Sequence, residues 1–166
     1  MKKFELTAEF VTNVFGKKLF RIKALVAFGD VEKGELGGFI EKEGNLSHDG
    51  DAWVSGNAWV SGDARVYGNA RVSGNAQVSG DARASGNADF SVVEGFGRYF
   101  RATTFFRCKD KILRVQCGCF YGDLAQFREI VKKTHGDSKY AKEYLAIADL
   151  MELHFSDEEE KQEAVE

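Results

Sequence analysis

Three sets of residues have types and spacings that could do chemistry. His48 is the one histidine in the first half of the chain. An imidazole titrates near neutrality, so His48 is a candidate general base for a hydroxyl or amine acceptor. Cys108, Cys117, Cys119 and His135 are the side-chain types that zinc takes in tetrahedral sites. Their spacing is not that of a zinc knuckle. Cys117-x-Cys119 on a strand also reads as two small apolar side chains on one face. The expectation is no metal and no cofactor. The third set is Trp53, Trp59, Arg65, Tyr67, Arg71 and Arg83. Trp and Arg concentrate binding energy at interfaces. Arginines beside aromatic rings can also pair a phosphate and stack a base. No Gly-rich strand-to-helix phosphate loop accompanies them.

The elements that must position this third set are written in a repeat. From Gly44 to Ser91 the chain runs through eight six-residue units, from GNLSHD to GNADFS. Each opens with Gly followed by Asn or Asp, and Ala and Val recur two residues apart in most of them. Alternate residues of a strand share a face, so Ala and Val point one way and the intervening residue points the other. Gly-Asn and Gly-Asp supply the corner, because both tolerate positive φ. Each unit is therefore a very short strand plus a corner, and a fixed period of this kind sets the architecture. Like residues also recur eighteen apart: Asn57 with Asn75, Asp63 with Asp81, Asn69 with Asn87, Arg65 with Arg83. Three units then make one coil, and coils stack. On that geometry Trp53 lies over Arg71 and Asp89, Trp59 over Gln77, and Arg65 over Arg83. His48 occupies the slot that Val54 fills one unit later.

The Val54–Ala58 and Val60–Ala64 spacing resembles the hexapeptide-repeat, left-handed parallel β-helix family. From Gly38 to Ser91 the chain has the length for about three such coils. The leader Leu19–Leu25, Phe28–Val31, Leu36–Glu41 and Asn45–Ser47 is similar to bacterial and phage hexapeptide-repeat proteins, also called polymer-forming proteins, of unknown role. It implies a phage or prophage accessory gene, acting in the cytoplasm of an infected or lysogenic bacterium. Relatives of the scaffold include acyltransferases that use a His between subunits of a trimer, and for these His48 is the counterpart. This chain lacks their long acceptor-binding loop and their coil extension for coenzyme A. The run Cys117–Gly122 with Thr134–Gly136 looks like a C-terminal module of the same phage-type proteins.

Composition bounds the rest. The chain is 43% hydrophobic and 30% charged, with a formal net charge of −3, which describes a folded soluble chain rather than a disordered one. Residues 95–135 hold nine Lys/Arg against three Asp/Glu, and residues 137–166 hold three against ten. These halves either neutralise each other or leave a basic surface for a phosphate-bearing partner. Three Cys make no disulfide framework, and no signal or membrane span is expected.

Along the chain, residues 1–43 read as a β-rich cap with a hairpin turn at Gly16-Lys17. A cap is required, because a bare end coil exposes apolar core and unpaired strand edges. Residues 44–94 are the β-helix and residues 95–155 a ββαα module. In that module Thr103–Arg107 and Ile112–Cys117 form a hairpin. Asp123 and Gln126 form a capping box, Gly136 ends the first helix and Ser138 or Asp137 starts the second. The first helix carries Leu124, Phe127, Ile130 and Val131 on its apolar face. The second carries Tyr140, Tyr144, Ile147, Leu150, Met151 and His154. Residues 156–166 read as an acidic, disordered tail.

These readings make the chain mainly β, with the repeat as its frame. The expected function is non-catalytic binding by a cytoplasmic phage accessory factor that sequesters a host defence component. The alternative is an acyltransferase using His48. Two outward tryptophans need cover, which the chain's own caps, a homotrimer interface or a foreign partner could each supply. The expected partners are further copies of the chain, a homotrimer first, and then a host protein or a nucleotide-like ligand, with no membrane and no direct DNA or RNA binding.

Overall fold

A computed structural model of the protein describes residues 1–86 and 89–156. The expectations for Asn87 and Ala88 and for the tail from residue 157 onward lie outside the described residues. The repeat units form two-residue strands: β4 (Trp53–Val54), β5 (Trp59–Val60), β6 (Arg65–Val66), β7 (Arg71–Val72), β8 (Gln77–Val78) and β9 (Arg83–Ala84). They pair in parallel, β4 with β7, β5 with β8 and β6 with β9, in the register Trp53 to Arg71, Trp59 to Gln77 and Arg65 to Arg83. The chain is thus a three-sided parallel solenoid in this stretch. Its interior is the expected Ala/Val column: Ala52, Val54, Ala58, Val60, Ala64, Val66, Ala70, Val72, Ala76, Val78, Ala82 and Ala84 are fully buried.

The corners depend on glycine. Gly50 and Gly68 sit at φ 70° and 61°, left-handed backbone that L side chains adopt at a cost. Space is also short at Gly50, where a Cβ would lie 2.6 Å from the Gly68 carbonyl oxygen of the next coil. Stacking brings corner backbone against corner backbone, so the repeat needs Gly for closeness as well as for φ.

The N-terminal strands β1 (Phe4–Thr12), β2 (Lys18–Ala24) and β3 (Leu36–Ile40) form an antiparallel set. The turn falls at residues 13–17, where Asn13 N–H donates to the Lys17 carbonyl at 2.9 Å. β3 then pairs in parallel with β5, joining this set to one solenoid face. Here the register differs from the expected eighteen. Phe39 pairs with Trp59 and Leu46 bridges to Val66, both twenty apart. Leu46, not His48, therefore fills the inward slot of the first coil, and His48 lies half-buried beside it, stacked on Phe4.

The direction of the ladder explains what the N-terminal segment must supply. Amides of each coil donate to carbonyls of the next, as in Trp53 to Ala70 and Ser55 to Val72. The lower end of the solenoid consequently presents carbonyls with no coil beneath them, and buried carbonyls require donors. Phe39 N–H donates to Ala58 and Glu41 N–H to Val60. Buried Asn45 donates through Nδ2 to Gly62 and Ala64. Buried Lys3 donates through Nζ to Gly50 and Ala52.

The other end is closed by β10 (Phe90–Val93), β11 (Thr103–Arg107), β12 (Leu113–Cys117) and β13 (Phe120–Asp123), an antiparallel sheet in that order. The expected ββαα module thus carries four strands instead of two. Phe90–Val93 leaves the repeat for this sheet, so Asp89 does not continue the Trp53–Arg71 stack and instead accepts from the Ser85 amide at 2.8 Å. Strand alternation divides β11 between two cores: Phe106 packs into the solenoid interior, and Phe105 packs under the helices. Thr104 Oγ1 accepts from Gln77 N–H, supplying the acceptor that the upper end needs.

Helices α1 (Leu124–His135) and α2 (Lys139–His154) cover the sheet. Asp123 accepts from the Gln126 amide at 2.8 Å, and the Gln126 side chain accepts from the Asp123 amide at 2.9 Å. Ser138 caps α2 and Gly136 closes α1. Phe127, Val131, Tyr144, Ile147 and Met151 are buried, whereas Ile130, Tyr140 and Leu150 are exposed. Ala141 and Ala148 take the inner positions of α2 that the wider stripe assigned to larger residues. Among the described residues no helix is long and apolar enough to cross a membrane.

Candidate functional site

The β6–β9 face carries the site. Val66 and Ala84 point into the solenoid, so Arg65, Tyr67 and Arg83 point out. The stacking of β6 on β9 sets Arg65 directly against Arg83. Beside them runs residues 43–48, whose turn is fixed by Asn45 on the solenoid carbonyls. Between the two lies a cleft of about 610 Å³ lined by Glu43, Ser47, His48, Arg65, Tyr67 and Arg83.

The positive charge in this cleft is only partly engaged. Arg65 is exposed, and Tyr67 is exposed beside it. Arg83 is half-buried and donates to the Asp63 and Ala82 carbonyls, which fixes its guanidinium plane. Outside the lining, Lys42 pairs with Asp63 at 2.8 Å. Glu43 is the acidic group within the lining. It contacts His48 Nε2 at 2.8 Å and Lys2 at 3.6 Å, and the His48 hydrogen bond holds its carboxyl below the usual carboxylate range.

His48 is tied at both nitrogens. The Lys3 backbone N–H donates to Nδ1 at 3.0 Å, so Nδ1 is the unprotonated nitrogen and Nε2–H donates to Glu43. The ring is stacked on Phe4, with centroids 4.3 Å apart. No lone pair is left for an acceptor hydroxyl while these bonds persist. The arrangement can recognise an anion with a planar group: two guanidiniums for the charge, and Tyr67 for the plane.

The other candidates are distributed over the remaining faces. Trp53 is buried beneath the N-terminal segment, edge-on to Phe28 at 5.3 Å. A Cβ on Gly37 would lie 2.7 Å from the Trp53 ring, so glycine makes that cover possible. Arg71, on the same face, pairs with Asp30 of the N-terminal segment. Of the three covers open to Trp53, the chain supplies its own. Trp59 lies half-buried on the β5–β8 face, in a groove between the Asn13–Phe15 turn and Gln116–Cys119. The six candidates therefore do not form one surface.

The cysteines do not converge either. Cys108 is buried against the solenoid, Cys117 accepts from the Thr103 hydroxyl at 3.3 Å, and Cys119 is exposed. His135 stacks on Tyr144 at 5.8 Å. Among the described residues no three of His, Cys, Asp and Glu gather as metal ligands.

Sequence reasoning missed Glu43, Ser47, Lys3 and Asn45. Glu43 stands five residues before His48, a usable signal once the 43–48 turn is known. Lys3 carries none, because its partners lie 47 and 49 residues away.

A family model described as the YdcK beta solenoid repeat matches residues 64–80. The matched stretch runs from β6 through β8, about one coil, so the chain is similar to that repeat over one strand from each face and, of the cleft strands, over β6 alone. No curated protein matches the chain.

Proposed function

We propose that this protein is a non-catalytic binding protein that holds a phosphate-bearing, nucleotide-like ligand in the Arg65–Tyr67–Arg83 cleft. One observation carries the reading: two guanidiniums and an aromatic ring converge on a cleft of about 610 Å³. Small-molecule sites fall at about 300–1,000 Å³. Arg65, exposed and without a hydrogen-bond or ion-pair partner among the described residues, offers a planar fork of donors, the geometry that pairs with phosphate oxygens. Acyl transfer by His48 stands second, since its base would first have to release the Lys3 amide.

The proposal extends to the assembly and its setting. The coil is left-handed, with the six-residue period and three short strands per turn in its support. Three copies associate through solenoid faces, with Trp59 at the contact. The biological role we propose, sequestering a host defence component in the bacterial cytoplasm, has the resemblance of leader and repeat to phage-type proteins in its support.

Isothermal titration calorimetry with ATP, and with inorganic phosphate as the bare-charge control, tests the site. ATP binds the native protein, and Arg65→Gln/Arg83→Gln weakens it at least about tenfold, the loss of one or two charge-assisted bonds. Unchanged affinity in that variant overturns the reading, as does the absence of any heat with ATP. A host protein captured by the native chain and lost by the variant, with no nucleotide bound, would assign the face to a macromolecule instead.

A further inference from the structure

We propose that the C-terminal module contains a second binding site, a cavity that takes a single aromatic ring carrying an anionic group. It is independent of the cleft on the solenoid. Between β10 and β11 the chain runs through Arg98-Tyr99-Phe100-Arg101 and folds down against α1 and α2. The resulting cavity measures about 210 Å³ and is lined by Arg98, Tyr99, Arg101, Phe127, His135 and Tyr144, among others.

The loop is built in an expensive way for a simple cover. Phe100 has φ 56°, a left-handed conformation that a bulky residue rarely adopts. Its ring does not repay this by packing, since it remains 67% exposed. What the turn achieves is to bring the flanking arginines together. The Arg98 and Arg101 guanidiniums lie 5.6 and 5.1 Å from the Tyr99 ring centroid, held by cation–π contact at the mouth of the cavity. Backbone strain retained where charged side chains converge is a pointer to a binding role.

The opposite wall is aromatic. His135 stacks on Tyr144 with an interplanar angle of 26°, and Phe127 meets Tyr144 edge-on at 5.9 Å. The Tyr144 hydroxyl packs against Gly97, a position where any Cβ would collide with it. Basic side chains gather at the C-terminal end of α1, where they offset the negative end of the helix dipole. Lys132, Lys133 and His135 occupy the last turn of α1. The Glu143 carboxylate accepts from the Gly97 amide at 2.8 Å and does not line the cavity. An aromatic wall selects a ring, and the cationic mouth selects a negative substituent on it. The volume lies below the range of about 300–1,000 Å³ typical of drug-sized ligands, which limits the occupant to one ring.

Phenyl phosphate is the probe, with phenol and inorganic phosphate as its two halves. The readout is amide shifts of Gly97, Gly118 and the Thr134–Gly136 segment in ¹H–¹⁵N spectra. Phenyl phosphate produces saturable shifts there, and each half binds at least tenfold more weakly. Arg98→Gln/Arg101→Gln reduces phenyl phosphate affinity at least tenfold, whereas Arg65→Gln/Arg83→Gln leaves it within twofold. Arg65, Arg98 and Arg101 are exposed and Arg83 is half-buried, and matching thermal melts verify that the variants fold. Arg101→Lys, which keeps the charge and loses the fork, gives an intermediate affinity. The proposal is overturned if no saturable shift occurs, if inorganic phosphate binds as well as phenyl phosphate, or if the Arg98/Arg101 variant binds within twofold of native.

Discussion

Asn45→Ala removes the polar cap of one solenoid face. Asn45 is fully buried and makes three hydrogen bonds: Nδ2 to the Gly62 carbonyl at 3.1 Å and the Ala64 carbonyl at 2.9 Å, and Oδ1 from the Lys42 amide at 2.9 Å. A net value of about 1 kcal/mol per bond gives a loss of about 3 kcal/mol, since the carbonyls left behind stay shielded from water. For a chain of this size that lowers Tm by about 6–12 °C. Urea unfolding followed by circular dichroism measures the loss as a shift of midpoint at constant slope. Asn57→Ala, at an exposed corner of the same repeat, is the control and costs under about 0.5 kcal/mol. Asn45→Asp separates donor from shape. At neutral pH it aims an anionic oxygen at two carbonyls and is less stable than Asn45→Ala. Relative to Asn45→Ala it recovers as acid protonates the carboxyl and restores a donor. A loss below about 1 kcal/mol in Asn45→Ala, or equal effects at Asn45 and Asn57, would refute the idea that the end carbonyls need built-in donors.

Two further perturbations read other parts of the fold. Burial, with Cys117 next in effect, pushes the Tyr144 phenol up to about 12 from an ordinary 10.0. The folded chain therefore keeps that proton where the unfolded chain has lost it, and stability falls as pH rises from 10 to 12. Tyr144→Phe flattens that limb in pH-dependent melts, and an unchanged slope refutes the assignment. Tyr121, also raised, leaves a residual slope, and Lys3, lowered chiefly by burial, works in the opposite sense below its ordinary 10.5. Gly74→Ala meets nothing within 4 Å at φ 64° and costs about 1–2 kcal/mol from backbone strain alone. Gly68→Ala, at φ 61°, also drives its Cβ into the Ser85 carbonyl oxygen and costs about 1–3 kcal/mol more. Equal urea midpoints for the two would show that corner stacking is loose.

The cleft and the cavity differ in how far the sequence could have pointed to them. Arg65, Tyr67 and Arg83 were legible as outward residues, and eighteen-residue spacing placed Arg65 on Arg83 before any coordinate. The other wall of that cleft was not legible, because the first coil is twenty residues long and moves His48 off the inward slot. In the second cavity Arg98 and Arg101 were visible only as members of a basic segment, and His135 only as a possible metal ligand. Their convergence depends on a left-handed Phe100 between the arginines, and no local preference announces such a residue.

What the sequence by itself determined is whatever repeats or acts over a few residues. The six-residue period set the inward Ala and Val, the outward Trp and Arg and the glycine corners. Asp123, Gln126, Gly136 and Ser138 set the helix ends, because a cap is a contact across three or four residues. Tertiary structure decided everything that joins distant segments. It buried Trp53 under Phe28 and Gly37, drew Phe90–Val93 out of the repeat into the terminal sheet, and brought Lys3 to carbonyls of Gly50 and Ala52. The physical reason is the same in each case. A solenoid satisfies its own backbone everywhere except at its ends. Whichever residues can reach those ends with the right donor, acceptor or apolar face must come from elsewhere in the chain.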